Sequence, residues 1–312
     1  MHESVAQAAS QVATQIGPQV GPQVVADAGS MRALVTAARA AGRRVGFVPT
    51  MGALHAGHAS LVARAVRDCD DVAVSIFVNP TQFGPHEDFA RYPRTLAADL
   101  ELLAPHGVRW VYAPDVSQVY PPGDATRVVV GGPAMRFEGE RRPGHFDGVA
   151  TVVCRLFLAV PADAAYFGAK DWQQTLVVKR MTHDLGLPVE VVVCPTVREP
   201  DGLAMSSRNA YLSSVERPRA VALHEALAAA ATMWAAGAGT AAIERLMRET
   251  LLARGVDVDY AALADPDSLE PLADDASRAV ALVAGRLGST RLIDNIELPC
   301  RAPAVVRGAA AV

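Results

Sequence analysis

Phe47-Val48-Pro49-Thr50-Met51-Gly52-Ala53-Leu54-His55-Ala56-Gly57-His58 decides how this chain is read. An apolar run leads into a glycine turn, and the turn leads into the first turn of a helix. The two histidines stand three apart, which puts both imidazoles on one face of the helix start. A helix start also offers unpaired backbone N–H groups and the positive end of the helix dipole. The combination suits a polyphosphate. Imidazole donates hydrogen bonds to phosphate oxygens whether neutral or charged, and Gly52 and Gly57 permit close approach. The plain alternative makes His55 and His58 ordinary helix residues beside a turn. A strand before and a helix after are the context that a nucleotide-phosphate site requires, and they favour it.

Outward from this stretch, strand and helix patterns alternate. Helix is predicted over 30–41, 59–67 and 95–103, and strand over 45–48, 72–78 and 108–112. Val149, Val152, Val153, Leu156, Phe157 and Val160 recur at i, i+3, i+4, i+7, i+8 and i+11, the period of an amphipathic helix. Strands over 164–167 and 189–193 flank a further helix after Asp171. Repeated βα units predict a mostly parallel sheet covered on both faces, with ligands at the carboxyl ends of the strands. His55, Asn79 and Lys170 each follow a strand end, so the topology draws them toward one crevice.

After Arg198 the pattern changes. Alanine-rich helices over 217–236 and 241–253 precede strands over 256–263, 279–284 and 291–296. The fold class is therefore α/β, with a Rossmann-like parallel-sheet N-terminal domain and a smaller α+β C-terminal domain. Residues 1–28 read as a flexible extension, 29–196 as the nucleotide- and substrate-binding domain, and 197–312 as the smaller domain, a lid. The extension carries a short echo, Gly17-Pro18-Gln19-Val20 and Gly21-Pro22-Gln23-Val24. The tail from Cys300 to Val312 reads as loose.

The 312 residues suffice for a sizeable core, and a net charge of −4 argues against a broad nucleic-acid footprint. Cys69, Cys154, Cys194 and Cys300 form no CxxC pair, so neither a zinc nor a redox motif is indicated, and scattered thiols fit a reducing cytosol. There is no apolar run of the ~20 residues that span a bilayer, and the N-terminus lacks the basic and apolar regions of a secretory signal. Cytoplasmic location is the expectation.

Other segments carry chemistry in company rather than alone. Gly168-Ala169-Lys170-Asp171 follows a strand; Lys170 suits a phosphate and Asp171 ribose hydroxyls, or else Asp171 is a helix N-cap beside a solvated lysine. Met205-Ser206-Ser207-Arg208 sets two hydroxyls and a guanidinium in a row, able to wrap phosphate oxygens and close over a nucleotide, or to be a plain polar loop. Gln82, in Asn79-Pro80-Thr81-Gln82-Phe83, both donates and accepts, which suits a small hydroxy acid. Arg142 and His145 sit in a basic loop before a helix; both segments could be turn chemistry only. Asp88 and Asp99 are the candidate Mg²⁺ contacts, although Mg²⁺ usually arrives with nucleotide phosphates.

Taken in order, seven strings resemble the pantothenate synthetase (pantoate–β-alanine ligase) family of the HxGH nucleotidyltransferase superfamily. They are PTMGALHAGH at 49–58, FVNPTQF at 77–83, YPRT at 92–95, RPGHFDGV at 142–149, YFGAKDWQQ at 166–174, VREPDGLAMSSRNAYL at 197–212 and TRLIDNIEL at 290–298. The resemblance runs from Arg32 to Leu298. It implies a two-step ligation in pantothenate and coenzyme A biosynthesis: ATP and pantoate give pantoyl adenylate and pyrophosphate, then β-alanine displaces AMP.

Carried over by position, the resemblance implies that Met51, Gly52, Ala53, Leu54, His55, Ala56, Gly57 and His58 line the ATP phosphates, with His58 in the family's proton-donor place. It implies that Gln82 and Gln174 hold pantoate, that Gln82 also lies near β-alanine, and that Asn79, Arg142 and His145 join the pocket. Gly168, Ala169, Lys170 and Asp171 would grip the nucleotide. Val197 would meet adenine through its backbone. Met205, Ser206, Ser207 and Arg208 would cover the triphosphate. Catalysis would rest on His58, His55, Lys170, Ser206, Ser207 and Arg208, with Asp99 as metal contact. ATP is implied as substrate with Mg²⁺, alongside pantoate and β-alanine, in a homodimer with no nucleic acid and no membrane. Three positions depart from the common pattern: Ala169 where many members have Glu, Thr81 where Met or Leu is frequent, and Ala98 where an Asp often precedes Asp99. Rival readings are another HxGH adenylyltransferase, which needs no amine pocket; a class I aminoacyl-tRNA synthetase, which would want a basic tRNA-binding domain; and a non-catalytic nucleotide-binding protein.

Overall fold

The structure is a computed structural model and describes residues 21–85, 87–273 and 276–301. Its first layer system is a six-stranded sheet in the order β1-β4-β3-β2-β5-β6. The strands are β1 (Gln23–Val25), β2 (Val45–Thr50), β3 (Asp71–Ile76), β4 (Trp110–Tyr112), β5 (Ala164–Gly168) and β6 (Glu190–Cys194). Every pairing in it is parallel. Parallel strands need crossovers, and these are the helices α1 (Ala28–Ala40), α2 (Ala56–Asp68), α3 (Leu96–Leu103), α4 (His145–Ala159) and α5 (Trp172–Asp184).

Side chains alternate across a strand, so β2 serves two cores. Val45 and Phe47 pack with Met31 and Val35 of α1 and with Val149 and Val153 of α4. Val48 faces the other way, onto Leu61, Val62 and Ala65 of α2. The chain leaves β2 toward β3 on one side and returns to β5 on the other. That reversal opens a crevice at the carboxyl ends of β2 and β5.

The second domain packs α6 (Ala222–Ala235) and α7 (Thr240–Ala253) on an antiparallel sheet of β7 (Asp257–Ala264), β8 (Ala279–Leu287) and β9 (Thr290–Leu298). Leu223, Leu227, Trp234, Ile243, Met247 and Leu251 form its core. Several polar ties dock it on the first domain, among them these. Asn295 of β9 donates from Nδ2 to the carbonyls of Ala169 and Lys170, and Trp172 Nε1 donates to the carbonyl of Pro266.

Two expectations are corrected. Residues 23–25 are not part of an extension but the edge strand β1, hydrogen-bonded beside β4. An edge strand of three residues buries little, here only Val25, so no periodicity marks it. The single helix expected over 217–236 is two, Glu216–Ala220 and α6, because Val221 (φ −59°, ψ −22°) tightens the junction toward 3₁₀ geometry. The rest of the proposed extension, 1–20, and the tail beyond Arg301 lie outside the described residues. Arg301 itself stacks 3.5 Å over the Trp234 ring.

Candidate active site

A cavity of ≈ 230 Å³ occupies the crevice, lined by the strand ends and helices of the first domain and by the segment that leads from β6 into the second. His55 and His58 stand on its floor with ring centroids 4.2 Å apart. His55 is the N-cap of α2 and His58 its third residue, and the two cap each other. His55 Nδ1 accepts from the Gly57 amide (3.1 Å), and His58 Nδ1 accepts from the His55 amide (3.3 Å). A nitrogen that accepts from a backbone N–H carries no proton, so in each neutral ring the proton sits on Nε2. The pair thus presents two N–H donors of set tautomer. Burial, then the neighbouring His55, depresses the His58 pKa to about 3. Burial and then Lys170 lower that of His55. Neutral imidazole is the form at pH 7. Gly57 is needed here: a Cβ on it would stand 2.8 Å from His55 Cε1.

The expectation that α2 offers free backbone amides is corrected for Gly57, His58 and Ala59. Gly57 N–H is taken by His55 Nδ1, and those of His58 and Ala59 by the His55 carbonyl. The amides of Ala53 and Leu54 donate to Asp99, at 3.2 and 2.8 Å, and Gly52 N–H to Thr50 Oγ1. Gly52, Ala53, Leu54 and Ala56 do not line the cavity, whereas Met51, His55, Gly57 and His58 do. Asp99 is likewise not a metal contact in this cavity. It is buried behind the loop, facing a different cavity, and its carboxylate tethers the turn between β2 and α2. Ala98 beside it is exposed on α3. Among the described residues no cluster of three or more His, Cys, Asp or Glu could hold a metal.

Asn79 and Gln82 follow β3. Asn79 Nδ2 donates to Gln82 Oε1 (3.1 Å) and to the Gly148 carbonyl (3.2 Å), while Tyr120 Oη donates to Asn79 Oδ1 (2.8 Å). Gln82 Nε2 meets Met51 Sδ at 3.2 Å, a soft contact that a better acceptor would displace. Thr81, one of the departures, bonds Asn79 Oδ1 and Tyr120 Oη at 3.0 Å and so keeps this turn together. Gln174 lines the same cavity, while its neighbour Gln173 is buried and holds the carbonyls of Pro133 and Arg136. Arg142 and His145 also reach the cavity wall, but their donors are committed. Arg142 makes a two-pronged pair with Glu87 and meets His145 Nε2 at 2.9 Å; His145 Nδ1 donates to the Gln82 carbonyl (2.8 Å). Burial foremost, then the adjacent guanidinium, pushes His145 down to about 4, so it is neutral and a strut for the Gln82 turn.

The same cavity is lined by Gly168, Lys170, Asp171, Val197 and Met205–Arg208. Ala169 does not line it; its carbonyl is held by Asn295. Asp171 occupies the cap position of α5 yet accepts no capping hydrogen bond, and Lys170 Nζ is 3.7 Å away. A hairpin brings the last segment in: Met205 N–H donates to the Val197 carbonyl (3.0 Å), which leaves the Val197 N–H as the group it can offer. Arg198 pins that hairpin to Asp294 of β9.

Several residues take roles that the sequence reading did not give them, Asp88 among them, expected as a Mg²⁺ contact and found paired with Arg208. Asp88 grips Arg208, Tyr92 Oη lies 3.4 Å from Ser207 Oγ, and Asn295 shapes the Lys170 loop. Tyr92 and Asn295 lie inside strings that carried the resemblance, and only their partners' positions reveal what they do.

The sequence model for pantoate-beta-alanine ligase matches residues 23–297. The pantothenate synthetase of Roseiflexus sp. (strain RS-1) is 55% identical over 270 residues, covering 85% of this chain and 96% of that protein. That of Thermus thermophilus is 54% identical over 256 residues, 81% and 93% respectively. A crystal structure of a Thermus thermophilus pantothenate synthetase superposes with a TM-score of 0.85 at 51% identity, over 89% of this chain and 99% of that one. The pantoate-beta-alanine ligase of Francisella tularensis, complexed with beta-gamma ATP and beta-alanine, gives 0.74 at 32% identity, over 88% and 97%.

Proposed function

Because this chain belongs to the pantoate–β-alanine ligase family, we propose that the cavity runs two reactions in succession on one set of side chains. The enzyme condenses pantoate with β-alanine, driven by ATP. In the first step a pantoate carboxylate oxygen attacks the α-phosphorus, and the bond to pyrophosphate breaks. In the second the β-alanine amine attacks the acyl carbon of pantoyl adenylate and loses a proton, and AMP leaves with the bridging oxygen.

The observation that carries this is the shared lining of one cavity. It is lined by a paired Nε2–H donor set, His55 and His58, together with Lys170 and Arg208. A carboxylate and a polyphosphate repel one another. Donors gathered in one cavity around the α-phosphate offset that repulsion, most of all where charge builds in the transition state. His58, with a pKa of about 3, acts by donating a hydrogen bond rather than as an imidazolium acid. Gln82 and Gln174 hold pantoate, Gln82 also borders β-alanine, and Asp171 and the Val197 N–H hold ribose and adenine. Ser206 and Ser207 complete the cover, which keeps water from the acyl adenylate.

Mg²⁺ enters with the phosphates. Asp99 is bound to amides and Asp88 to Arg208, which leaves Asp171 as the cavity's carboxylate and no cage of carboxylates for the ion. A homodimer follows from the family resemblance. No helix among the described residues is long and apolar enough to cross a membrane; four free cysteines support a cytoplasmic place.

Isotope transfer tests the adenylate. With pantoate labelled by ¹⁸O in its carboxylate, one labelled oxygen is expected in AMP. Unlabelled AMP alongside pantothenate would rule the acyl adenylate out.

A further inference from the structure

Two arginines on the cavity wall are gripped by adjacent carboxylates, and they are gripped to different ends. Glu87 takes Arg142 through Nε (2.7 Å) and Nη2 (2.6 Å), and the remaining nitrogen, Nη1, meets His145 Nε2. Arg142 is thereby used up. Asp88 takes Arg208 through Nε (3.0 Å) and Nη2 (2.9 Å), and Nη1 of Arg208 has no protein partner among the described residues. A guanidinium carries five N–H donors in one rigid plane. Asp88 fills the Nε–Nη2 edge, so the Nη1–Nη2 edge is left over, and that edge is itself a fork that matches two oxygens of a phosphate.

The loop that carries Asp88 is also sewn to the turn that carries Arg208. Tyr92 Oη lies 3.4 Å from Ser207 Oγ, Tyr211 Oη donates to the Arg91 carbonyl (3.4 Å), and the Arg91 guanidinium stacks over the Tyr211 ring. The loop of Asp88 is therefore held to the turn of Arg208 by contacts that do not use the Arg208 side chain.

We propose that Asp88 is the positioning residue of Arg208: it holds one edge of the guanidinium so that the free edge addresses a nucleotide phosphate. The proposal rests on the reading of this cavity as an ATP site. Asp88 touches no substrate in this account; its effect passes through Arg208. A carboxylate that merely competed with phosphate for Arg208 would act in the opposite direction, since its removal would tighten ATP binding.

The test is equilibrium binding of ATP with Mg²⁺ by calorimetry, with no acyl substrate, for the wild type, Asp88→Asn, Asp88→Glu, Arg208→Gln and the double variant Asp88→Asn/Arg208→Gln. Asp88→Asn is expected to weaken ATP about tenfold, as loss of an orienting charge-assisted pair should. Asp88→Glu, which keeps the charge, is expected to recover part of that loss. The double variant is expected to bind as Arg208→Gln does, because the second change has nothing left to aim. Unchanged or tighter ATP binding in Asp88→Asn, no recovery in Asp88→Glu, or losses that multiply in the double variant would overturn the proposal. A wild type that binds no ATP would instead remove the nucleotide reading itself, and these variants would not be needed to show it.

Discussion

At the scale of single residues the account turns on His58 and its tautomer. Its Nδ1 is occupied by the His55 amide and its pKa is depressed to about 3, burial being the main cause. His58→Ala is expected to slow adenylation about 10²–10³-fold, the usual effect of losing one such donor, with the fold unchanged. A single-turnover rate equal to that of the wild type would remove His58 from the step. Because the ring is neutral across pH 5–9, the adenylation rate should show no inflection near 6.5; one that vanished in the His58 variant would mean an imidazolium acid. Stability follows the same shifts. A base with a depressed folded pKa takes up its proton more readily when unfolded, so its contribution is complete above about pH 6.5 and is lost as pH falls toward the folded value. With His58 at about 3 and His145 at about 4, the melting midpoint should begin to fall between pH 6.5 and 5, ahead of the carboxylates. A midpoint flat to pH 5 would contradict both values.

At the scale of elements, the site is a set of strand ends held at fixed separations. The turn after β3 packs against α4 at Gly148, where a Cβ would collide with the Thr81 carbonyl. Gln82→Ala should weaken pantoate and spare ATP, since Gln82 follows β3, whereas the groups assigned to ribose and adenine, Asp171 and Val197, follow β5 and β6. Comparable losses for both ligands, read from separate KM values, would point to a collapsed turn instead. These elements were largely legible in the sequence. Strand, turn and helix start at 45–58 predicted β2 and α2, though not that the two histidines cap the helix, and the apolar period from Val149 predicted α4. The destination of the backbone donors was not legible. Nothing at 52–54 says that Asp99, far along the chain, absorbs two of the amides, because that contact is made by tertiary packing. The same holds for Arg142 and His145: their residue types suggest ligands, and only their partners make them struts.

At the scale of the whole molecule, the cavity is closed by the segment that leads into the second domain, and buried charge joins the two domains. Glu138, from the segment before α4, is held by Arg291 of β9 at 2.6 Å through two nitrogens, and by Tyr260 Oη at 2.8 Å. Burial works to raise the Glu138 pKa, and the Arg291 pair more than offsets it, so the carboxyl titrates below its ordinary range. Arg291→Ala strands that charge and is expected to destabilise the protein by about 3 kcal/mol, seen as a lower melting midpoint. A midpoint within a degree of the wild type would show that water reaches Glu138 and that the pair does not bind the domains. The change in pattern after Arg198, where the parallel sheet gives way to an antiparallel one, was readable; this clamp was not, since its members lie 153 residues apart. The central claim is that the cavity adenylates pantoate, and pyrophosphate release with ATP, Mg²⁺ and pantoate, with β-alanine present or withheld, tests it most directly. The account predicts a pantoate-dependent burst of pyrophosphate without β-alanine, and sustained release with AMP and pantothenate once it is added. Pyrophosphate that ignores pantoate, or that appears only when β-alanine is present from the start, would contradict it.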